Sequence, residues 1–337
     1  MLRAIRTTLN PACYHGSGKK PPFFEGWYFK LIDAAGKRRL AVIPGIFWSN
    51  DSANSQAFVQ IFDGNNGKVR FIEYPTNSFR SANGRFDIQI GENRFTASYV
   101  ALDIARENFV LKGELVFTGL IPWPVTILSP GIMGWYAWAP FMQCYHGVVS
   151  LDHRTAGQLK MNDSRMDFTG GRGYIEKDWG RSFPECWVWF QSNHFSQTGT
   201  SITASTAIIP WIRGAFPGFI IGFKHEDRLF RFATYSGAKI EKLEIGSETV
   251  NWVVKDRKHC LEMIAHRSNN SGLLHAPTRE GMFRKIPEVM DSRIEVRLST
   301  RASGKTRVIF EGTGFHAGME VVGELEKLVE MWQRQRA

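Results

Sequence analysis

One stretch of the sequence reads Ala57-Phe58-Val59-Gln60-Ile61-Phe62, followed at once by Asp63-Gly64-Asn65-Asn66-Gly67. A run rich in β-branched and aromatic residues is typical of a strand, and the Asp, Asn and Gly residues after it are typical of a hairpin turn. Similar strand-like runs recur in the first half at 27–32, 40–43, 86–90, 109–117 and 143–151, and nine more follow between Gly173 and Gly312. Many short strands separated by turns predict an all-β sandwich or barrel.

The length of 337 residues and the hydrophobic content of 43% favour two domains, each with its own core. The glycine-rich stretch Thr169–Gly173 leads into a strand, so we interpret it as a turn that opens the second domain and not as a phosphate-binding loop. This interpretation predicts domains at residues 1–165 and 166–337. A C-terminal helix is predicted from Glu320 to Gln335, where apolar residues keep helical spacing: Val322, Leu325, Leu328, Val329 and Trp332.

Charge and cysteine content exclude several classes of protein. The 42 Lys and Arg residues outnumber the 32 Asp and Glu residues, but the basic residues are scattered and form no nucleic-acid motif. The four Cys residues are far apart, and the nine His residues form no metal-binding motif, so we expect neither disulfides nor a metal. Because the basic residues form no nucleic-acid motif, we expect no nucleic-acid partner. The oligomeric state stays open.

The sequence has no apolar stretch of signal length at its start and no run of 18 apolar residues. We therefore expect a cytoplasmic protein, with peripheral membrane contact as an open alternative. The segment from Gly119 to Pro140 contains Trp123, Trp135, Tyr136 and Trp138. Such rings favour a membrane interface, but the segment also suits a lid over a pocket or packing between the domains.

The densest polar and aromatic segment is Gly173-Tyr174-Ile175-Glu176-Lys177-Asp178-Trp179-Gly180. Strand alternation places Tyr174, Glu176 and Asp178 on one face, with Lys177 and Trp179 on the other. In the nearby run 187–193, alternation aligns Trp187, Trp189, Gln191 and Asn193.

If those two faces point into one barrel, the interior holds carboxyls, amides and indoles. A carboxyl buried among indoles resists ionisation and can act as a general acid, while indole faces stabilise a cation. The alternative for Glu176 and Lys177 is an ordinary ion pair on a strand, and the alternative for the indoles is a packed core.

A second segment near the start reads Pro22-Phe23-Phe24-Glu25-Gly26-Trp27-Tyr28-Phe29-Lys30. Alternation puts Glu25 and Trp27 on one face and Tyr28 on the other. Glu25 and Trp27 are candidates for the pocket, and a plain first strand is the alternative.

These motifs make the sequence similar to the tocopherol cyclase family. The resemblance covers the opening Pro22–Lys30, the Gly-Tyr-x-Glu-Lys-x-Trp-Gly segment 173–180, Phe183-Pro184, and the Trp-x-Trp-x-Gln-x-Asn strand 187–193. Plant members usually carry Asn at the position of Asp178 and begin with a plastid transit peptide, so this chain resembles a bacterial relative. The wider relationship is to carotenoid hydratase-like proteins built from two lipocalin-like barrels.

The resemblance implies two tandem lipocalin-like antiparallel β-barrels with a C-terminal helix. It implies an enzyme that closes a chromanol ring by protonating a prenylated quinol, without a cofactor. Asp178, Glu176 and Glu25 are then the candidate acids. The implied substrate-binding residues are Trp27, Tyr28, Tyr174, Lys177, Trp179, Trp187, Trp189, Gln191 and Asn193. A hydratase or isomerase acting on another isoprenoid, and a lipid carrier without chemistry, are the competing hypotheses.

Overall fold

The computed structural model describes residues 2–302 and 305–336, which form two compact units. The first unit comprises Met1–Phe183 and Leu273–Lys285, and the second comprises Pro184–Gly272 and Ile286–Ala337.

Among the described residues up to 183, the structure has three short 3-10 helices in the connections, and its other elements are one short α-helix followed by twelve strands. They are α1 (Leu2–Thr8), β1 (Phe23–Ile32), β2 (Arg39–Trp48), β3 (Gln56–Asp63), β4 (Lys68–Tyr74), β5 (Phe79–Ser81), β6 (Asp87–Ile90), β7 (Asn93–Thr96), β8 (Tyr99–Arg106), β9 (Phe109–Thr118), β10 (Cys144–Met161), β11 (Ser164–Asp167) and β12 (Gly171–Gly180).

These strands form one antiparallel sheet in the order β4-β3-β2-β1-β12-β10-β9-β8-β7-β6-β5, with β11 beside β10. Ile72 of β4, at one end of the sheet, and Ile90 of β6, next to the other end, belong to the same buried cluster as Phe29 of β1 and Leu115 of β9. A sheet whose two ends share one core is curled around it, as in a barrel.

The boundary between the units differs from the predicted boundary near residue 165. Strand β12, predicted to open the second domain, lies in the middle of the first sheet between β1 and β10. The glycine-rich turn at Gly170 lies within the first unit, because it joins β11 to β12, both of which pair with β10, and Gly170 donates a backbone hydrogen bond to Thr155 of β10. The first unit therefore extends to Phe183.

The later segment Leu273–Lys285 also belongs to the first unit, which no sequence signal indicated. Gln60 accepts a hydrogen bond from the backbone N–H of His275 at 2.7 Å, and the His275 ring stacks on Phe71 with centroids 4.2 Å apart. Met282 joins a small apolar cluster with Phe24, Phe47 and Phe58.

The elements after residue 183 are ten strands and one helix. They are β13 (Trp187–Ser192), β14 (Ser201–Trp211), β15 (Gly214–His225), β16 (Arg228–Ala233), β17 (Lys239–Ile245), β18 (Thr249–Lys255), β19 (His259–His266), β20 (Gly272–Ala276), β21 (Arg284–Ala302), β22 (Lys305–Val322) and α2 (Leu325–Arg336).

The second antiparallel sheet has the order β16-β15-β14-β13-β22-β21-β19-β18-β17. Its core again collects residues from both ends of the order, with Phe230 of β16 and Ile240 of β17 in one buried cluster with Trp252. The all-β class with two antiparallel barrels and a C-terminal helix is therefore confirmed.

The C-terminal helix begins five residues later than predicted. Glu320, Val321 and Val322 are the end of β22, where they pair with β13, and Gly323 has a φ of +85° that ends the strand. In α2, Leu328 and Trp332 pack into the core of the second unit. The Trp332 ring lies against Phe219, and its N–H donates to the Thr206 hydroxyl at 3.3 Å.

Within the described ranges, the structure contains no helix of sufficient length and apolarity to span a bilayer.

We expect Trp332→Ala to destabilise the second unit by about 3–5 kcal/mol, because it removes a large buried ring and leaves a cavity. Urea denaturation followed by circular dichroism measures the change. Gln333→Ala, on the exposed side of the same helix, is the control and should leave the curve unchanged. Equal curves for Trp332→Ala and the native chain would contradict the packing of α2.

Candidate active site

Three adjacent strands of the first unit bring distant polar residues together. Strand β12 pairs antiparallel with β1 on one side and β10 on the other. In these registers Glu176 lies opposite Tyr28 of β1, and Asp178 lies opposite His146 of β10. Directly opposed residues on antiparallel strands project to the same face.

The first group of polar residues is called the acid cluster: Tyr174, Glu176, Asp178 and His146. The Tyr174 hydroxyl donates a short hydrogen bond to Glu176 Oε2. The imidazole of His146 lies between the two carboxylates, with Nδ1 at 2.9 Å from Asp178 Oδ1 and Nε2 at 3.5 Å from Glu176 Oε2. Side-chain exposure is 7% for Glu176 and 28% for Asp178, so the imidazole joins a buried carboxyl to a more accessible one.

Three side chains of the acid cluster form the group, among the described residues, that is best suited to a metal ion. One ligand atom from each of His146, Glu176 and Asp178 lies within 4.8 Å of the others. The ring, however, directs different nitrogens at the two carboxylates, and one imidazole cannot aim both nitrogens at a single ion. The observed geometry therefore suits proton transfer through the ring better than coordination.

Cys144 lies beside this cluster, with its sulfur 4.0 Å from Asp178 Oδ1. Burial, together with the charge of Asp178, raises the pKa of the Cys144 thiol well above its usual value. The thiol is therefore protonated at neutral pH, and a role as nucleophile is disfavoured.

The second group is called the buried ion pair and consists of Glu25 and Lys177. Both side chains have 0% exposure, and the Lys177 ammonium donates directly to Glu25 Oε1. Lys177 also donates to the Cys13 carbonyl at 2.6 Å, and the backbone N–H of His15 donates to Glu25 Oε2 at 2.8 Å.

Two indoles enclose the ammonium of Lys177, with ring centroids at 4.5 Å for Trp27 and 4.7 Å for Trp179. Such cation–π contacts stabilise a charge that has been removed from water. Burial opposes ionisation of Glu25, but the charge of Lys177 and the hydrogen bonds from His15 hold the pKa of this carboxyl below its ordinary value. The Glu25 side chain is therefore an ionised partner and a poor proton donor at neutral pH.

The sequence suggested that Glu25 and Trp27 share a pocket with Glu176 and Asp178. The structure does not place them together. Glu25 lies opposite Trp179, and Trp27 lies opposite Lys177. The buried ion pair therefore lies on the face of the sheet that contributes Trp27 and Ile175 to the core. The acid cluster occupies the other face. The alternation predicted within β12 is observed, and Lys177 and Trp179 point away from Asp178.

In the second unit, Trp187, Trp189, Gln191 and Asn193 line one face of β13 and the residue after it, which we call the indole face. All four are buried, with exposures between 0% and 5%. The core of this unit takes Val188 and Phe190, which alternate with them. Neither the indole face nor the acid cluster points into the apolar core of its own barrel, so these two faces do not meet inside one barrel as the sequence predicts.

Sequence reasoning missed three contributors: His146, His15 and Glu320. His146 lay in a predicted strand but had no motif, and only the pairing of β10 with β12 brings it to Asp178. His15 precedes the first strand and stacks on Trp179 at 4.2 Å. Glu320 falls within the predicted helix, but in the structure it lies on β22 and accepts a hydrogen bond from the Trp187 indole at 2.6 Å.

Two of the known proteins similar to this chain are tocopherol cyclases. A probable chloroplastic tocopherol cyclase of Oryza sativa subsp. japonica is 23% identical, over 95% of this chain and 79% of the relative. A chloroplastic tocopherol cyclase of Zea mays is 25% identical, over 56% of this chain and 41% of the relative.

Among solved structures, CghA with Sch210972 is similar in fold, with a TM-score of 0.55 and 13% sequence identity over 90% of this chain and 89% of that one. This similarity supports the lipocalin-like tandem architecture alone. The family model described as tocopherol cyclase-like matches residues 121–323, more than half of the sequence. The chain therefore belongs to the tocopherol cyclase-like family.

Proposed function

We propose that this protein closes a chromanol ring by acid-catalysed cyclisation of a prenylated quinol of the phytyl type. Family membership supports the general activity. The observation that carries the chemistry is the position of His146 between a buried Glu176 and a more exposed Asp178. A buried carboxyl that can be reprotonated through an imidazole meets the need of repeated proton donation to an alkene.

In the proposed reaction, the Glu176 carboxyl transfers its proton to one carbon of the alkene. The other alkene carbon then becomes a tertiary cation beside the quinol. A lone pair of the neighbouring phenol oxygen attacks the cation and forms the new C–O bond. The phenol proton then returns to the carboxylate, directly or through His146 and Asp178. Atoms and electrons balance within one substrate, so the product is an isomer and the step requires no oxidant or reductant.

The remaining residues receive roles in binding or in support. The Tyr174 hydroxyl fixes the orientation of the Glu176 carboxyl through its hydrogen bond. Tyr28 lies opposite Glu176 on the neighbouring strand, which suits contact with substrate. In this proposal Trp187 and Trp189 bind apolar substrate surface, and Gln191 and Asn193 orient quinol hydroxyls.

The proposed substrate is a hydrophobic molecule that dissolves in membranes. We therefore propose that this protein meets its substrate at a lipid surface, on the cytoplasmic side. We assign a structural role to four buried residues: Glu25, Lys177, Trp27 and Trp179. For Glu25 this role replaces the acid role that the family resemblance implies. Their burial and mutual contacts support this assignment.

Replacing Glu176 with Gln should lower the rate of chromanol formation by about 10²–10⁴-fold, because the amide cannot donate a proton to carbon. Mass spectrometry of detergent-solubilised prenyl quinols measures the product as an isomer of unchanged mass and altered retention. Asp178→Asn should give a smaller loss, since it removes only the route of reprotonation. Glu107→Gln, an exposed carboxyl in a turn, is the control. Full activity in Glu176→Gln would reject Glu176 as the acid.

Solvent labelling separates the cyclase from its competitors. In heavy water we expect the product to carry one deuterium on carbon, because the acid exchanges with solvent before it protonates the alkene. In water labelled with oxygen-18 we expect no label, because the ring oxygen comes from the substrate. An incorporated oxygen-18 atom would identify a hydratase. Tight binding of quinol without any product would identify a carrier.

We expect Lys177→Met to reduce the free energy of unfolding by about 3–5 kcal/mol, because it leaves the Glu25 carboxylate buried without its partner. The double variant Glu25→Leu with Lys177→Met should recover most of that loss and retain product formation. Urea denaturation and the quinol assay measure both properties, with Lys160→Met at an exposed lysine as control. A double variant that folds but forms no product would instead give the Glu25–Lys177 pair a role in catalysis or substrate binding.

A further inference from the structure

The connection between β9 and β10 has an unusual composition. From Leu115 to Leu151 the sequence contains no Asp, Glu, Lys or Arg residue, although charged residues make up 22% of the chain. The range includes the end of β9 and the start of β10, and much of it is buried. Where its apolar side chains are exposed, contact with water is unfavourable unless something covers them.

The most exposed part of this connection is a small hairpin that we call the apolar tip, residues 125–130. Val125 and Pro130 form an antiparallel bridge, and the backbones of Thr126 and Ser129 exchange hydrogen bonds at 3.1 and 3.2 Å. The Trp138 indole donates to the Ile127 carbonyl at 2.9 Å. The tip therefore has a defined shape, and local partners satisfy much of its backbone.

The two residues at the end of the tip are aliphatic and almost fully exposed, with Ile127 at 73% and Leu128 at 85%. Val125 and Trp138 behind them are each 38% exposed. An aliphatic end backed by an indole is the arrangement expected at a bilayer surface, where aliphatic side chains enter the acyl region and indoles stay near the headgroups.

Charge near the tip favours an anionic lipid surface. Pro11 packs against Gly131 at the base of the tip, and at most about 18 Å of chain joins Pro11 to Arg6. Arg6 is exposed on α1 next to Ile5, which is also exposed. The whole chain carries a formal charge of +10, which attracts it to anionic headgroups.

We propose that the apolar tip inserts into the surface of an anionic bilayer, with Ile127 and Leu128 as the inserted side chains. A turn with two exposed aliphatic side chains can insert into a fluid surface. A stable protein interface instead needs a broad complementary patch. The proposal deepens the proposed function by giving a route to a membrane-dissolved substrate. Its test does not depend on turnover.

The test is flotation of the purified full-length protein with vesicles of phosphatidylcholine and phosphatidylglycerol, without substrate. The double variant Ile127→Ser with Leu128→Ser should bind at least about tenfold more weakly, because each aliphatic side chain contributes through burial in the acyl boundary. Native binding should also weaken in vesicles of phosphatidylcholine alone and at high salt. Leu273→Ser, an exposed leucine elsewhere in the first unit at 56%, is the matched control and should bind as the native chain does.

Equal binding by the double variant and the native chain would overturn the proposal, as would an equal loss in the Leu273→Ser control. A change in elution volume of the double variant on gel filtration, with vesicle binding retained, would assign the tip to a second copy of the chain and also overturn it. Circular dichroism verifies that the double variant is folded. Failure of the cyclase would appear as absence of product from detergent-dissolved quinol with the flotation difference intact, so the two proposals fail separately.

Discussion

The first unit depends on the contact between the Glu25 carboxylate and the Lys177 ammonium, which lie 152 positions apart in the sequence. Bringing such distant segments together costs chain entropy, and burying either charge alone costs several kcal/mol. The two charges are tolerated only together, with Cys13, His15 and the flanking indoles as further partners. A misaligned or unpaired β1 and β12 would therefore be strongly penalised.

That contact also determines where the acid cluster points. Because side chains alternate along a strand, a slip of one residue between β1 and β12 would exchange the two faces of the sheet. With Lys177 held on the core face beside Glu25, Glu176 and Asp178 must take the opposite face, next to β10 and His146. The interior ion pair and the exterior acid cluster thus follow from one register.

Sequence patterns were sufficient for the all-β class and for the faces of individual strands. Glu176, Asp178, Trp187 and Trp189 lie on the faces that alternation predicted, because alternation is a local property of the backbone. The pairing of strands is a long-range property. No local pattern predicted that β10 places His146 beside Asp178, or that β12 belongs to the first sheet. The helix start was misplaced because Val321 and Val322 suit both a helical spacing and a strand, and the pairing with β13 decided the outcome.

The return of Leu273–Lys285 to the first unit has a consequence for biosynthesis. The ribosome completes β1 to β12 well before it synthesises His275 and Met282, which contact Gln60 and the cluster around Phe24. Part of the surface of the first unit therefore stays uncovered while nearly ninety further residues, 184–272, are synthesised. A chain that ended at residue 183 would lack these contacts, so the first unit is complete only when both of its segments are present.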